Sequence, residues 1–340
     1  MATPAAANRA STGSTSIERL ILARLVHTIG IDIGGTKILA VVTDASGTIV
    51  DEAREESPEG FSDILDSSAE MIATLRERNA VEVTAVGVGI AGLVDGDGVL
   101  RFGPNLPGVI DAPVRDALSQ RTGLPVAVDN DANVAGWGEV RFGAASGERD
   151  ALLVTLGTGI GGAIVLGGGV VRGAHGFAAE IGHFTVERDG PMCACGERGH
   201  WEAIASGSAL GRMARELVAA GKGAAIAALA TAADSSSVNG YHVGQAARAG
   251  DRDALDLLGR YADNVALGLA GLSNILDPAI IVISGGLVEL GELLLAPTRA
   301  AFLTHIEAPE HRPAVPIVPA TLGERAGAIG AAAIAADLGA

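Results

Sequence analysis

Two glycine turns, each set between apolar runs, constrain this chain more than any other feature. The first is Asp32-Ile33-Gly34-Gly35-Thr36-Lys37, between the apolar runs 28–31 and 38–42. The second is Gly157-Thr158-Gly159-Ile160-Gly161-Gly162, between 152–156 and 163–166. A turn without Cβ atoms lets backbone N–H groups come close to a phosphate oxygen. One such turn could be an ordinary hairpin. Two of them, each between strands and each with a threonine hydroxyl, point to a nucleotide held between two related lobes.

The segments around the turns follow one plan twice. In the first half a third strand is expected over 48–54. A helix follows over 62–78, with Ile64, Leu65, Ala69, Ile72 and Leu75 at helical spacing. A buried strand over 83–90 leads to the turn Asp95-Gly96-Asp97-Gly98. Pro113 opens a short helix that Gly123 closes, and a strand over 126–128 delivers Asp129-Asn130-Asp131. The second half gives strands over 152–156, 163–166 and 170–172, then a loop-rich insertion at about 173–203. A long helix over 255–276 stops at Asp277-Pro278. A buried strand over 279–284, Gly285-Gly286, a helix to about residue 304, a strand over 315–318 and an Ala-rich helix complete the chain. This reads as a diverged internal duplication in an α/β chain, with lobes over 27–145 and 146–340. Residues 1–26 read as a disordered or short helical extension, with the helix over 16–26. In open α/β sheets ligands sit beyond the carboxyl ends of strands, and the polar motifs fall there.

A length of 340 residues supports the two-lobe count. Apolar residues make up 48% and aromatics only 3%, so the core is built from Ala, Val, Leu and Ile. The net charge of -16 opposes a nucleic-acid or polyanion partner by repulsion. Only two lysines occur, and Lys37 sits in the first turn. Residues 151–171 carry no charge, yet their glycines argue for hairpins rather than a membrane helix, and no signal segment is evident. Both cysteines lie in Cys193-Ala194-Cys195, too close for an ordinary disulfide. That usage fits a reducing, cytoplasmic setting and raises metal ligation.

Four motifs carry candidate chemistry. Asp32 ends a strand beside a phosphate turn, where a carboxylate is useful for holding Mg²⁺ through water. Asp129-Asn130-Asp131-Ala132-Asn133 offers a carboxylate to take a hydroxyl proton, and it equally suits a helix N-cap. These residues leave open whether Asp129 or Asp131 is the base. His183, Cys193, Cys195 and His200 form a candidate tetrahedral zinc set in a stretch poor in regular structure. Gly103-Pro104-Asn105-Leu106-Pro107-Gly108 is a rigid loop presenting one amide.

Together these motifs resemble the ROK family of bacterial sugar kinases and sugar-responsive repressors, with the ROK glucokinases of the actinobacterial type nearest. The motifs are Asp-x-Gly-Gly-Thr-Lys, Gly-Pro-Asn, Asn-Asp-Ala-Asn, Leu-Gly-Thr-Gly-Ile-Gly-Gly, Glu-Ile-Gly-His and Cys-x-Cys-Gly. The resemblance implies the actin-like ATPase (ribonuclease H-like) fold, two α/β lobes with a central cleft. It assigns Asp131 as catalytic base and Asn105, Asn130, Asp131, Glu180, His183 and Glu202 to the sugar. Asp32 and Lys37 flank Gly34, Gly35 and Thr36, which with Gly157, Thr158 and Gly159 match its phosphate turns. Gly285 and Gly286 match its adenosine segment. It further implies ATP with Mg²⁺, a structural Zn²⁺ and a dimer or tetramer. The family's zinc site usually uses His-Cys-Cys-Cys, and here His200 stands at the third cysteine position.

The implied activity is phosphorylation of the 6-hydroxyl of glucose. Mannose, fructose and N-acetylmannosamine are the alternative acceptors, and polyphosphate is disfavoured as donor because no basic track is present. A sugar-responsive regulator is the rival from another class. Those proteins carry a winged helix-turn-helix before the first glycine turn, and fewer than thirty residues precede it here. An actin-like assembly ATPase would leave the polar stretch 180–202 without a purpose.

Overall fold

In the computed structural model, which describes residues 27–103, 106, 109–233, 235 and 237–339, each glycine turn closes an antiparallel hairpin that starts a five-stranded sheet. The expected helix over 16–26 and Asn105 lie outside the described residues. The first sheet contains β1 (His27–Ile33), β2 (Lys37–Thr43), β3 (Ile49–Glu56), β4 (Val83–Ile90) and β8 (Val126–Asn130), in the order β3-β2-β1-β4-β8. The second contains β9 (Ala151–Leu156), β10 (Ile160–Leu166), β11 (Gly169–Val170), β12 (Ile280–Ser284) and β13 (Ile317–Pro319), in the order β11-β10-β9-β12-β13. In each, three strands pair antiparallel and two more extend the sheet in parallel. The shared order is the one a duplicated hairpin-plus-α/β unit gives.

The helices in chain order are α1 (Phe61–Asn79), α2 (Val114–Thr122), α3 (Asp131–Phe142), α4 (Trp201–Ala205) and α5 (Gly207–Ala219). They continue with α6 (Ala224–Ala232), α7 (Gly240–Arg248), α8 (Arg252–Leu276), α9 (Glu292–His305) and α10 (Ala326–Ala336). Helix α1 buries Ile64, Leu65, Ile72 and Leu75, as their spacing predicts. Helix α8 begins where Asp251 accepts a hydrogen bond from Ala254 N at 2.9 Å, and ends at Asp277 in the left-handed conformation. Each sheet has its own apolar cluster. One is centred on Ile29, Ile31, Val86 and Val88, the other on Val154, Leu156, Ile281 and Ile283.

Two features escape periodicity. Strands β5 (Leu93–Val94), β6 (Leu100–Phe102) and β7 (Ile110–Ala112) form a small antiparallel sheet beside the first lobe's strand ends, too short to show alternation. Helices α5, α6 and α7 fill the space between the insertion and α8. Helix α6 is almost uniformly Ala, Ile and Leu, so it has no polar face to betray a period.

The last helix returns to the first sheet. Helix α10 lies against β1 and β4 so closely that a Cβ on Gly87 would run into the carbonyl of Ala331. It also crosses α3, where a Cβ on Gly330 would meet the Val134 carbonyl and lie 2.9 Å from Gly138 N. Helix α3 in turn packs on β10 of the second sheet, through Gly136 against Ala163. One helix therefore touches both sheets, and its first residue is Asp131. Gly87→Ala should destabilise the fold by about 3 kcal/mol, because helix and strand backbones must part to admit a methyl group. Denaturant unfolding measures this; an unchanged midpoint would mean α10 does not sit on the sheet in solution.

Candidate functional site

The carboxyl ends of three adjacent strands place the acidic motifs side by side. Asp32 on β1 is in register with Gly89 on β4, and Gly89 with Asp129 on β8. Strand β8 then passes directly into α3, with Asn130 as its N-cap. The Asn130 Oδ1 accepts from Ala132 N at 2.9 Å and Asn133 N at 3.2 Å, while its Nδ2 donates to the Gly92 carbonyl at 3.0 Å. The cap and the site motif are the same residues.

The two aspartates on either side of this cap are in different circumstances. Asp129 is buried, and both its oxygens are engaged. Its Oδ1 accepts from Asn133 Nδ2 at 2.9 Å and from Asn130 N at 2.8 Å, and Oδ2 accepts from Arg172 Nε at 2.6 Å. Asp131 accepts from Ala132 N at 2.9 Å and faces a cleft. Fixed donors thus occupy both oxygens of Asp129, which are turned to the protein rather than to a ligand. Of the two aspartates, Asp131 is the one that lines the cleft.

The cleft has a volume of about 490 Å³ and is walled from both lobes. Gly92, Phe102, Asn130 and Asp131 line one side, and Gly161, Gly162, Glu180 and His183 the other. Its carboxyls are held above the ordinary range. Burial raises Asp131, against the hydrogen bond from Ala132. Burial raises Glu180, with Asp131 and Glu202 adding to it and His183 opposing. Asp32 is pushed up to about 7, by burial first and Asp131 second, against Lys37. A group poised in this way suits proton transfer near neutral pH.

The two glycine turns differ in surroundings. In the first, Gly34 N donates to the Lys37 carbonyl at 3.0 Å, and Ser57 Oγ donates to the Gly34 carbonyl at 2.6 Å. Gly35 and Thr36 are exposed, and Lys37 Nζ is held by Glu324 Oε2 at 3.1 Å. The second turn borders a groove of about 620 Å³ lined by Gly157, Thr158, Ser208, Arg215, Tyr241 and Gly286. Its Gly161 and Gly162 face the cleft while Gly157 and Thr158 face the groove, so the turn separates the two spaces. A larger cavity of about 880 Å³ between α5 and α8 holds none of the predicted residues. Its Asp253 is engaged with Gly223 N at 2.6 Å, and acidic and basic groups are mixed along it.

The irregular stretch 183–200 folds back as a knuckle. Thr185 bridges His200 and Met192 bridges Arg198. Cys193 N donates to the Glu197 carbonyl at 2.8 Å, and Gly196 N to the Cys193 carbonyl at 3.0 Å. The donor atoms of His183, Cys193, Cys195 and His200 all lie within 4.8 Å of one another. Bonds to tetrahedral zinc of about 2.0–2.3 Å place ligands about 3.3–3.8 Å apart, so a slight contraction would complete the site. His200 offers Nδ1, 3.2 Å from Cys195 Sγ. That nitrogen is the one nearer the backbone, which is how a histidine fits where a shorter cysteine is the family habit. The four residues fit a structural Zn²⁺.

The structure brings Asn130, Asp131, Glu180 and His183 into one cleft and His183, Cys193, Cys195 and His200 into one cluster. Glu202 is turned elsewhere: its Oε2 accepts from Ile160 N at 2.9 Å, and its Oε1 lies 3.3 Å from Cys193 Sγ. Gly286 borders the groove and Gly285 precedes it in a left-handed conformation. Sequence reasoning missed Phe102 on the cleft wall and Ser208, Arg215, Asn239 and Tyr241 in the groove. Asn239 carried a usable signal, since Asn before a helical run is a preferred cap.

Two α/β lobes of matching strand order, with a cleft walled from both and the second glycine turn on its wall, define the actin-like ATPase and sugar-kinase class. The ROK family pattern matches residues 28–338, and the chain belongs to the ROK family. It is 38% identical over 312 residues to a glucokinase of Streptomyces coelicolor, covering 91% of this chain and 98% of that one. A glucokinase of Thermotoga maritima is 37% identical over 309 residues, covering 90% and 96%. A solved ROK family glucokinase from Streptomyces griseus, in complex with glucose and AMPPNP, is 41% identical with a TM-score of 0.80, covering 92% of this chain and 99% of that one.

The raised carboxyl of Asp32 has a pH signature. Its ordinary value is 3.8 and its folded value about 7, so the folded chain favours the protonated form. That stabilisation is complete below about pH 4 and is lost as pH rises through 7. In metal-free protein the thermal midpoint of the wild type, relative to Asp32→Asn, should fall between pH 5 and 8. A difference independent of pH would show that Asp32 is solvated.

Proposed function

We propose that this chain is an ATP-dependent hexose kinase that phosphorylates the 6-hydroxyl of glucose. The observation that carries the reading is the unsaturated carboxylate of Asp131 at the head of α3, beside the second glycine turn and inside a cleft walled by both lobes. The full-length likeness to glucokinases supports the same activity.

In this reading Asp131 takes the proton of the sugar hydroxyl as its oxygen attacks the γ-phosphorus of ATP in line, the bond to the β,γ-bridging oxygen breaks and ADP leaves. Asn130, fixed by its cap bonds, stands beside Asp131, and Glu180 and His183 supply acceptor and donor capacity along the rim. Asn105 belongs to the same sugar set; Glu202, which the resemblance also assigns to it, stands against the second glycine turn instead of lining the cleft. The turns at Gly34, Gly35 and Thr36 and at Gly157, Thr158 and Gly159 direct backbone N–H groups at the phosphates, while the groove at Gly285 and Gly286 takes the nucleoside. Asp32 would hold Mg²⁺ through water, and Lys37 stands at the mouth of its turn. Mg²⁺ supplies compensation for charge on the transferring group. Zn²⁺ on His183, Cys193, Cys195 and His200 would supply order to the loop that presents Glu180 and His183. Closure of the lobes over the cleft excludes water, which otherwise competes as acceptor.

The lobes are assigned to 27–145 and 146–340, with α10 packed on the first. No helix among the described residues is long and apolar enough to cross a membrane. A cytoplasmic location and a dimer or tetramer complete the proposal, supported by the cysteine usage and the family resemblance.

Glucose-stimulated ATP turnover tests the reading against a regulator or an assembly ATPase, which show no such stimulation. Asp131→Asn should lower kcat by about 10²–10⁴ while leaving the thermal midpoint near wild type. Near wild-type turnover in that variant would remove Asp131 from its role.

A further inference from the structure

Glu202 was expected on the sugar, yet its carboxylate spans two other parts of the protein. One oxygen accepts from Ile160 N, within the second glycine turn, at 2.9 Å. The other accepts a hydrogen bond at 3.3 Å from the thiol of Cys193, a member of the metal cluster. Metal uptake, which takes the thiol proton, would change what this oxygen meets. We infer that Glu202 is a positioning residue that couples the ordered metal loop to the nucleotide turn, an inference that rests on the kinase reading above.

Three further observations support the coupling. The turn is shaped around this carboxylate: a Cβ on Gly159 would strike Glu202 Oε2. The segment bearing Glu202 is firmly seated. Trp201 is fully buried, its Nε1 donates to the Asn264 carbonyl at 2.9 Å, and its backbone N donates to Phe184 at 3.0 Å. The same segment grips the turn again further on, where Gly207 N donates to the Gly157 carbonyl at 2.7 Å and Ser208 Oγ to the Thr158 carbonyl at 2.7 Å. Metal ligand His200 lies two residues before Glu202, so whatever fixes the knuckle fixes the carboxylate that fixes the turn. Thermodynamic linkage then makes the effect reciprocal: metal tightens nucleotide binding, and nucleotide tightens metal binding by the same factor.

The test measures binding of AMPPNP by calorimetry without hexose, in zinc-loaded and chelator-stripped protein. Zinc affinity is read in parallel by competition with a chromophoric chelator, with and without AMPPNP. Wild type should lose AMPPNP affinity by about fivefold or more on stripping and show an equal gain in zinc affinity with AMPPNP. In Glu202→Ala both effects should fall below twofold. Glu202→Gln, which keeps a carbonyl oxygen for Ile160 N, should retain part of them. Equal sensitivity to stripping in wild type and Glu202→Ala overturns the coupling. So does a wild type that takes up zinc without change in AMPPNP affinity, or one that takes up no zinc, even where glucose-dependent turnover is normal. Absence of AMPPNP binding and of turnover in every form overturns the kinase reading together with it.

Discussion

The crossing of α3 over α10, backbone against backbone, is the contact on which the rest of the structure depends. Side chains at Gly138 and Gly330 would hold the two helices apart, and a side chain at Gly87 would lift α10 off the sheet. Close packing of this kind has no slack, so the position of α3 is fixed by its neighbours rather than by its own sequence. Helix α3 also rests on the second sheet, which makes it the element common to both halves. Its first turn consequently lies at the boundary between them, and Asp131 occupies that turn. Because α10 follows the whole second sheet in the chain, the face of the first sheet opposite α1 and α2 is covered only when this distant helix packs on it. The cleft is assembled by long-range contacts, not by any contiguous module.

Electrostatics in the cleft follows from a shortage of cations. Asp32, Asp131 and Glu180 all sit above their ordinary range, each chiefly through burial. Arg172 serves Asp129, and Lys37 is tied to Glu324, whose carboxyl Arg54 and Lys37 together pull down to about 2. Neither cation is left free to neutralise the cleft. An acidic cavity without internal compensation favours ligands that bring positive charge, and a nucleotide arriving with a divalent cation does so. The same shortage leaves Asp131 without a lysine or arginine partner among the described residues. A lysine or arginine beside Asp131 would lower its pKa and weaken it as a proton acceptor.

Much of this was legible in the sequence because the relevant signals are local. The hairpins, their glycine turns, α1, α8 and the strand that delivers Asp129-Asn130-Asp131 are each set by periodicity, turn chemistry or caps within a few residues. The metal quartet was legible too, since Cys and His in an irregular stretch have few other uses. What stayed hidden depends on distant partners. Nothing near Arg172 announces that it will saturate Asp129, 43 residues away along the chain. The return of α10 to the first sheet is written in glycines at 87 and 330, which read individually as weak points in a strand and a helix. Glu202 had a family role to suggest its purpose, yet only the folded chain shows its carboxylate between a turn and a thiol. Helix α6 stayed hidden for a different reason: an Ala-rich helix can pack without a strong polar face.

The histidine at position 200 fits this electrostatic setting. Two thiolates and two neutral imidazoles around Zn²⁺ give a complex of zero net charge, whereas three thiolates and one imidazole carry a net negative charge. In this chain the cluster lies beside Glu202, and His183 lies both in the cluster and on the wall of the acidic cleft. A third thiolate would add another anion to a region whose carboxyls already repel one another. It would raise the cost of ionising Glu180 and Asp131 further. Histidine supplies the fourth ligand without that charge, and its Nδ1 lies close enough to the backbone for the knuckle to keep its shape. The histidine that looks like a defect in a metal motif is, beside an acidic cleft, the ligand choice that disturbs Asp131 and Glu180 least.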